Sequence, residues 1–296
     1  MTTSLRLRRP FSPALTVGLA AAVLMVLAQA PIPFIADDRL LTTVVVVAFF
    51  TATCALAADV WPTRRVAVAA GVVVVATLAL EWVGHSTGWP FGAYNYTGAL
   101  VPQVGGVPVI VPLAWFAMAV PAREVAARLV GHGWARVALG ALALTAWDLM
   151  LDPQMVESGY WVWEADGPWR GIPLSNYAGW LVSSAVVMVV LDRLLPCAGD
   201  DPPAPASQNR TSRTDCSAWR LRSRDGSRPL LALYTWWGLS EALAFIVFFG
   251  DPVVGLVGGA AMLGLAALAI RRSGPRRPAK LAVSWGQNGW GQRPRG

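Results

Sequence analysis

Four carboxyl groups stand out in this sequence because each lies within or beside a strongly apolar run. Glu81, Asp148 and Asp152 lie near the ends of two such runs, and Glu241 lies in the middle of a third. A carboxyl group in an apolar site can stay protonated near neutral pH and act as an acid, whereas a better solvated one can act as a base. Asp148 and Asp152 are four residues apart and would share one helix face. The pattern predicts acid–base chemistry, and the alternatives are that Asp152, before Pro153, only ends its helix and that Glu241 is a buried structural group.

Aromatic residues are concentrated in the two segments that follow Glu81 and Asp148. Such rings are typical of membrane anchors at the interface, but they would also line a site for an apolar ligand and stabilise a passing carbocation. The residues that we expect at such a ligand are Trp82, Phe91, Tyr94, Tyr96, Trp115, Trp147, Trp161, Trp163, Asn176, Trp180 and Glu241. The polar candidates for holding a water molecule are Tyr94, Asn95, Tyr96 and Asn176.

The composition indicates which kind of protein must position these groups. Hydrophobic residues make up 55% of the 296 residues and charged residues only 14%, against about 25% charged in soluble proteins. The net charge of +7 does not indicate nucleic-acid binding, because the basic residues lie in short segments between apolar runs. Three scattered cysteines and two histidines form no metal-binding or haem-binding pattern, so we expect no metal and no cofactor.

Eight apolar runs are long enough, or nearly so, to cross a bilayer, which takes about 20 residues. The predicted spans are Ala14–Ala30, Leu40–Ala58, Val66–Val83, Val107–Val120, Val137–Leu151, Tyr177–Leu195, Leu230–Phe249 and Pro252–Ile270. With the N-terminus in the cytoplasm, every basic residue except Arg39 and Arg170 falls on the cytoplasmic side, as the positive-inside rule requires. The sequence therefore predicts an all-α, polytopic transmembrane helical bundle in the cell membrane with both termini cytoplasmic.

The chain divides into four predicted regions. Residues 1–195 form a six-span body whose outer loops, 84–107 and 152–176, carry the candidate site. Residues 196–229 form a cytoplasmic linker rich in Pro, Ser, Asp and Arg, and residues 271–296 form a basic tail; neither is apolar enough to bury a core. Residues 230–270 form a C-terminal two-span hairpin.

The two outer segments resemble a family of carotenoid-biosynthesis membrane proteins that includes γ-carotene hydratases and bisanhydrobacterioruberin hydratases. The residues of the first segment are Glu81, Gly84, Gly88, Pro90, Phe91, Gly92, Tyr94 and Tyr96, followed by Val111, Pro112, Leu113, Trp115 and Met118. Those of the second are Asp148, Leu149, Asp152, Pro153, Gly159, Trp161, Trp163, Gly171, Ile172, Pro173, Asn176, Gly179 and Trp180. The resemblance spans about residues 80–195 and does not extend to the last two helices.

This resemblance implies a cofactor-independent hydro-lyase that adds water to the terminal double bond of an acyclic carotenoid end. Glu81 and Asp148 are then the candidates for acid and base, in either order, with Asp152 as the partner on the water side. The implied partners are a lipophilic carotenoid, water and membrane lipid, together with neighbouring enzymes of carotenoid synthesis.

Three other interpretations remain open on the sequence. A lycopene-cyclase-type enzyme would form the same cation and close a ring instead of admitting water. A proton-coupled transporter would use the carboxyl groups as a proton path, but it predicts inverted repeats and broken helices, which the sequence does not contain. A non-catalytic membrane scaffold would use the same helices without chemistry.

Overall fold

The structure is a computed structural model that describes residues 12–131, 133–196 and 227–272. These residues form a bundle of eight long helices, each apolar enough to cross a membrane. The helices are α1 (Pro13–Gln29), α2 (Arg39–Val60), α3 (Thr63–Thr87), α4 (Ile110–Leu129), α5 (Trp134–Glu157), α6 (Leu174–Leu194), α7 (Arg228–Val247) and α8 (Pro252–Arg272). A 3₁₀ turn, Ile32–Phe34, follows α1. The predicted linker 196–229 and tail 271–296 lie almost wholly outside the described residues, as do the arginines that precede α1.

The polytopic helical bundle is confirmed, but two predicted spans were too short. α4 runs past Val120 to Leu129, and α5 runs past Leu151 to Glu157, so Asp152 lies inside a helix and does not end one. Proline within a helix leaves a carbonyl without its usual N–H donor. In α5 that carbonyl belongs to Leu149 and accepts from the indole of Trp169 at 3.1 Å. This donor from the following loop compensates for Pro153, so the helix continues.

The same compensation occurs at Pro121 in α4. The carbonyl of Ala117, four residues earlier, accepts a hydrogen bond of 3.0 Å from the hydroxyl of Thr53 on α2. α4 is the central helix of the bundle and packs against α2, α3, α5, α6, α7 and α8. A helix buried on all sides can use neighbouring side chains to satisfy freed backbone groups, as membrane helices do.

The two ends of the bundle differ in chemistry. One end, which we call the arginine end, holds buried ion pairs: Arg123 and Arg136 both bind Asp192, at 2.7 and 2.9 Å, and tie α4, α5 and α6 together. The other end, which we call the loop end, carries residues 88–109 and 158–173, which join α3 to α4 and α5 to α6. Buried charges require partners, and the paired arginines meet that requirement.

Four short strands order the loop end. β1 (Tyr94–Tyr96) pairs antiparallel with β4 (Trp161–Trp163), so that Tyr94 lies opposite Trp163 and Tyr96 opposite Trp161. β2 (Gln103–Val104) pairs with β3 (Val107–Pro108). The chain enters this region at Gly88, whose left-handed backbone (φ +75°) ends α3, a conformation that favours glycine. The β1–β4 ribbon brings the two aromatic segments of the sequence together.

The C-terminal hairpin of α7 and α8 packs directly on the other helices. The hydroxyl of Tyr234 donates to the carbonyl of Ala143 at 2.8 Å, and this bond joins α7 to α5. A Cβ at Gly258 would lie 2.3 Å from the side chain of Met150, so α8 approaches α5 at a position where only glycine fits. Small residues permit such close helix packing in membranes. The hairpin therefore supplies part of the bundle interior.

Candidate active site

Glu81 is held by three hydrogen-bond donors. Its Oε2 accepts from the hydroxyls of Tyr94 (2.6 Å) and Tyr96 (2.9 Å), and its Oε1 accepts from the indole of Trp115 (2.8 Å). Burial, together with the nearby carboxylate of Glu81, raises the pKa of Tyr94 and Tyr96 above the usual tyrosine range, so both hydroxyls keep their protons and donate. An ionised carboxylate only accepts hydrogen bonds, and three donors suit that form. The loops thus fold onto Glu81 through β1.

Asp148 and Asp152 form a second acidic group on α5. They lie one turn apart on the buried face, as their spacing predicts, and the side-chain amide of Asn176 on α6 donates to both, at 2.8 and 2.5 Å. Asp152 also accepts from the indole of Trp161 at 3.1 Å, whereas Oδ1 of Asp148 has no hydrogen-bond partner among the described residues. Two buried carboxyl groups held together by one amide mark a candidate functional site.

Glu241 on α7 has a different environment from these groups. Its side chain is only 4% exposed, and its Oε1 accepts from the indole of Trp147 at 2.9 Å. Its Oε2 has no partner among the described residues. The surrounding groups are rings: Trp147 contacts Trp237 edge to face at 5.7 Å and Trp180 at 6.3 Å. Trp180 in turn stacks on Trp115, with 4.0 Å between ring centroids.

A cavity of about 340 Å³ connects these groups. Glu81, Asp152 and Glu241 all line it, whereas Asp148 does not. The cavity also reaches the outer surface of the bundle, because Leu239 and Leu243 line it and are 50% and 53% exposed. The rest of the wall is almost entirely apolar, which suits a lipophilic ligand that enters from the side of the bundle.

The structure brings nearly all of the predicted site residues to this cavity. Those that line it are Glu81, Phe91, Tyr94, Tyr96, Trp115, Trp147, Asp152, Trp161, Trp163, Asn176, Trp180 and Glu241. Trp82 does not line the cavity: its ring is 53% exposed and packs over Gly105. The side chain of Asn95 also turns away, towards Glu164 on the exposed side of the ribbon.

Sequence reasoning found Glu241 of α7, but it did not find the other contributions of α7, or those of α1 and α2, to the cavity wall. Gln29 of α1 accepts from the indole of Trp236 of α7 at 2.8 Å, and both residues line the cavity. Thr42 and Val45 of α2 line it as well. The sequence offered two signals for these contributions. Gln29 is a polar residue at the end of an apolar run, and Trp237 lies one helical turn before Glu241 on the same helix face.

These features define an integral-membrane helical protein with an acidic, ring-lined cavity for an apolar ligand. The chain belongs to the carotenoid biosynthesis protein family, whose sequence model matches residues 40–214. One relative is the bisanhydrobacterioruberin hydratase of Haloarcula japonica, which is 33% identical over 144 residues, or 46% of this chain and 49% of that protein. The chain therefore matches about half the length of this relative. No solved structure matches the chain significantly.

Proposed function

We propose that this protein is a membrane carotenoid hydratase that adds water across the terminal double bond of an acyclic carotenoid end. The observation that carries the proposal is a single apolar cavity with Glu81, Asp152 and Glu241 in its wall. The relative from Haloarcula japonica is named a hydratase, and family membership supports a carotenoid as the substrate. An acid and a base within one apolar cavity are what hydration of an unactivated alkene requires.

The reaction needs only a proton, a water molecule and stabilisation of a cation. Protonation of the less substituted alkene carbon forms a C–H bond and leaves a tertiary cation on its neighbour. Trp115, Trp147 and Trp180 line the cavity, and the faces of their rings offer π-electron density to that cation. The negative charge of Glu81 adds electrostatic stabilisation in a medium of low dielectric. Water then forms the C–O bond, and loss of its second proton gives the tertiary alcohol without any change of redox state.

We place the attack of water on the cation at the part of the cavity that lies at the loop end. Glu81, Asp148 and Asp152 gather there beneath the β1–β4 ribbon, and Asp152 and Glu81 line the cavity. Asp152 is the cavity-facing member of the aspartate pair, so it is the group that orients water and receives its proton. Asn176 and Trp161 position Asp152 for this task.

The size and opening of the cavity favour modification of one end at a time. At about 340 Å³ it lies at the small end of ligand pockets, so it holds an end group and not a whole carotenoid. The opening beside Leu239 and Leu243 allows the rest of the polyene to remain among the lipid chains.

Pigment analysis tests this proposal directly. The protein is expressed in a host that accumulates an acyclic carotenoid, and the pigments are measured by mass spectrometry. A product heavier by one water is expected; an isomer of unchanged mass would indicate a cyclase, and unchanged pigments at normal protein abundance would refute the proposal.

Two variants complete the experiment. Asp152→Asn should lower hydration by about 100-fold or more, the usual contribution of a general base. Glu157→Gln, which changes an exposed carboxyl group on the same helix, is the matched control and should retain full hydration.

A further inference from the structure

The three cavity-lining carboxyl groups differ in how many hydrogen bonds they accept. Glu81 accepts from three donors and Asp152 from two, so their negative charges are well compensated. Glu241 accepts only from Trp147, and its second oxygen has no partner among the described residues. Burying a carboxylate with so few donors is costly. A neutral carboxylic acid, with its O–H on Oε2, fits the position of Glu241 best.

The placement of this group matters as much as its charge. Trp147 binds Oε1, Oε2 has no partner among the described residues, and the side chain of Glu241 lines the cavity. Protonation of an alkene needs an acidic O–H that is not already engaged in a strong hydrogen bond, because the π bond is a weak acceptor. The neighbouring wall includes the rings of Trp147 and Trp237, which make the surroundings of the acid largely apolar.

We infer that Glu241 is the proton donor of the hydration, a role that rests on the proposed function. The O–H of Glu241 gives its proton to the terminal alkene carbon, the π electrons form the new C–H bond, and Glu241 is left as a carboxylate. Water attacks the tertiary cation from the loop end, and its second proton passes to Asp152. A proton then returns from Asp152 to Glu241 through water in the emptied cavity. The sum is alkene plus water to tertiary alcohol.

This assignment separates the two chemical steps between two sets of helices. The donor is on α7, among rings, whereas the water-side carboxyl groups are on α3 and α5. The substrate end group lies between them in the shared cavity. A water molecule therefore does not have to approach the acid, and the acid is not consumed by hydrogen bonds to water.

Exchange of hydrogen for deuterium distinguishes the steps. Purified protein is incubated with an acyclic carotenoid in D₂O, and mass spectrometry measures both hydration and deuterium in the recovered carotenoid. Asp152→Asn should lose hydration but still incorporate deuterium, because the cation forms and then loses a proton. Glu241→Gln should lose both by about 100-fold or more. Deuterium uptake by Glu241→Gln at the rate of Asp152→Asn, or none in Asp152→Asn, would overturn the assignment.

Further variants keep the test decisive. Glu157→Gln is the control, and a melting curve in detergent shows whether each variant is folded. If Glu241→Gln does not accumulate, Glu241→Asp replaces it: this acid is shorter by one methylene, and misplacement should slow exchange by about 100-fold. Exchange at the wild-type rate in Glu241→Asp would refute the assignment. Wild-type protein that neither hydrates nor exchanges would instead refute the proposed function itself.

Discussion

The shared amide of Asn176 provides the sharpest test of the aspartate pair. Replacing Asn176 with leucine removes the donor to Asp148 and one of the two donors to Asp152. Asp152 keeps the indole of Trp161, but Asp148 keeps no partner among the described residues, since its Oδ1 already has none. A hydrogen bond to a charged group contributes about 1.5–3 kcal/mol, and an orphaned buried acceptor costs a similar amount.

We therefore expect Asn176→Leu to lower the free energy of unfolding by about 3 kcal/mol. For 296 residues, that corresponds to a fall of about 5 °C in melting temperature. The measurement is a thermal unfolding curve in detergent, followed through tryptophan fluorescence. Asn95→Leu is the matched control, because its side chain bonds to Glu164 on the exposed surface; its change should stay within about 0.5 kcal/mol.

A second substitution tests whether the orphaned acceptor of Asp148 causes this loss of stability. Adding Asp148→Leu removes the orphaned acceptor, and replacing both partners by apolar groups is nearly neutral. The double variant should recover most of the lost stability, with a coupling energy of about 1.5–3 kcal/mol. It should still hydrate poorly, as Asn176→Leu alone should, because Asp152 lacks the amide that positions it. Strictly additive losses of stability, or a double variant that hydrates at the wild-type rate, would refute the reasoning about this pair.

Three further predictions follow from contacts around the cavity. Tyr94→Phe removes a donor to Glu81 and should slow hydration about tenfold. Tyr234→Phe is the control and should not slow it, because the hydroxyl of Tyr234 bonds to a backbone carbonyl outside the cavity. Equal rates of hydration in both variants would contradict the role of the Tyr94 donor. Ala244→Trp should obstruct the side opening of the cavity and reduce turnover of a membrane-dissolved carotenoid. Ala260→Trp, on the exposed face of α8, is the control and should leave turnover unchanged. An equal loss of turnover in both variants would show that obstruction is not the cause. An arginine partner lowers the pKa of Asp251, so this ion pair stabilises the fold above the ordinary aspartate pKa of 3.8 and is lost as pH falls further. Asp251→Asn should therefore reduce the melting temperature at pH 6 and not at pH values well below 3.8; a deficit independent of pH would contradict the ion pair.

The helices were predictable from the sequence because apolar runs of membrane-spanning length leave few alternatives. The four-residue spacing of Asp148 and Asp152 also predicted their shared helix face, which the common donor Asn176 confirms. The sequence likewise placed Glu81 and the aspartates at similar depth near one end of the bundle. These inferences needed only local periodicity and the length of the spans.

The end of α5 was not predictable for an equally physical reason. Asp152 followed by Pro153 is a usual helix-terminating pair, and the sequence alone favours a stop. The helix continues because Trp169, sixteen residues later, supplies the missing donor to Leu149. A contact between distant residues decides the outcome, and local patterns do not contain it. For the same reason, the sequence did not show the part of the cavity wall that α1, α2 and the residues of α7 other than Glu241 provide.

The position of the acidic groups also bears on whether the cation is hydrated or closes a ring. Ring closure needs an acid, a base that removes a proton from the cyclised cation, and a dry cavity that folds the chain; water beside the cation would divert it to an alcohol. Ionisable groups inside membrane segments are costly, and a cyclase needs only one of them as its base, whereas Glu81, Asp148 and Asp152 all gather at the loop end. A hydratase needs such groups both to hold water and to remove its proton. A cluster of three carboxyl groups therefore favours hydration over cyclisation.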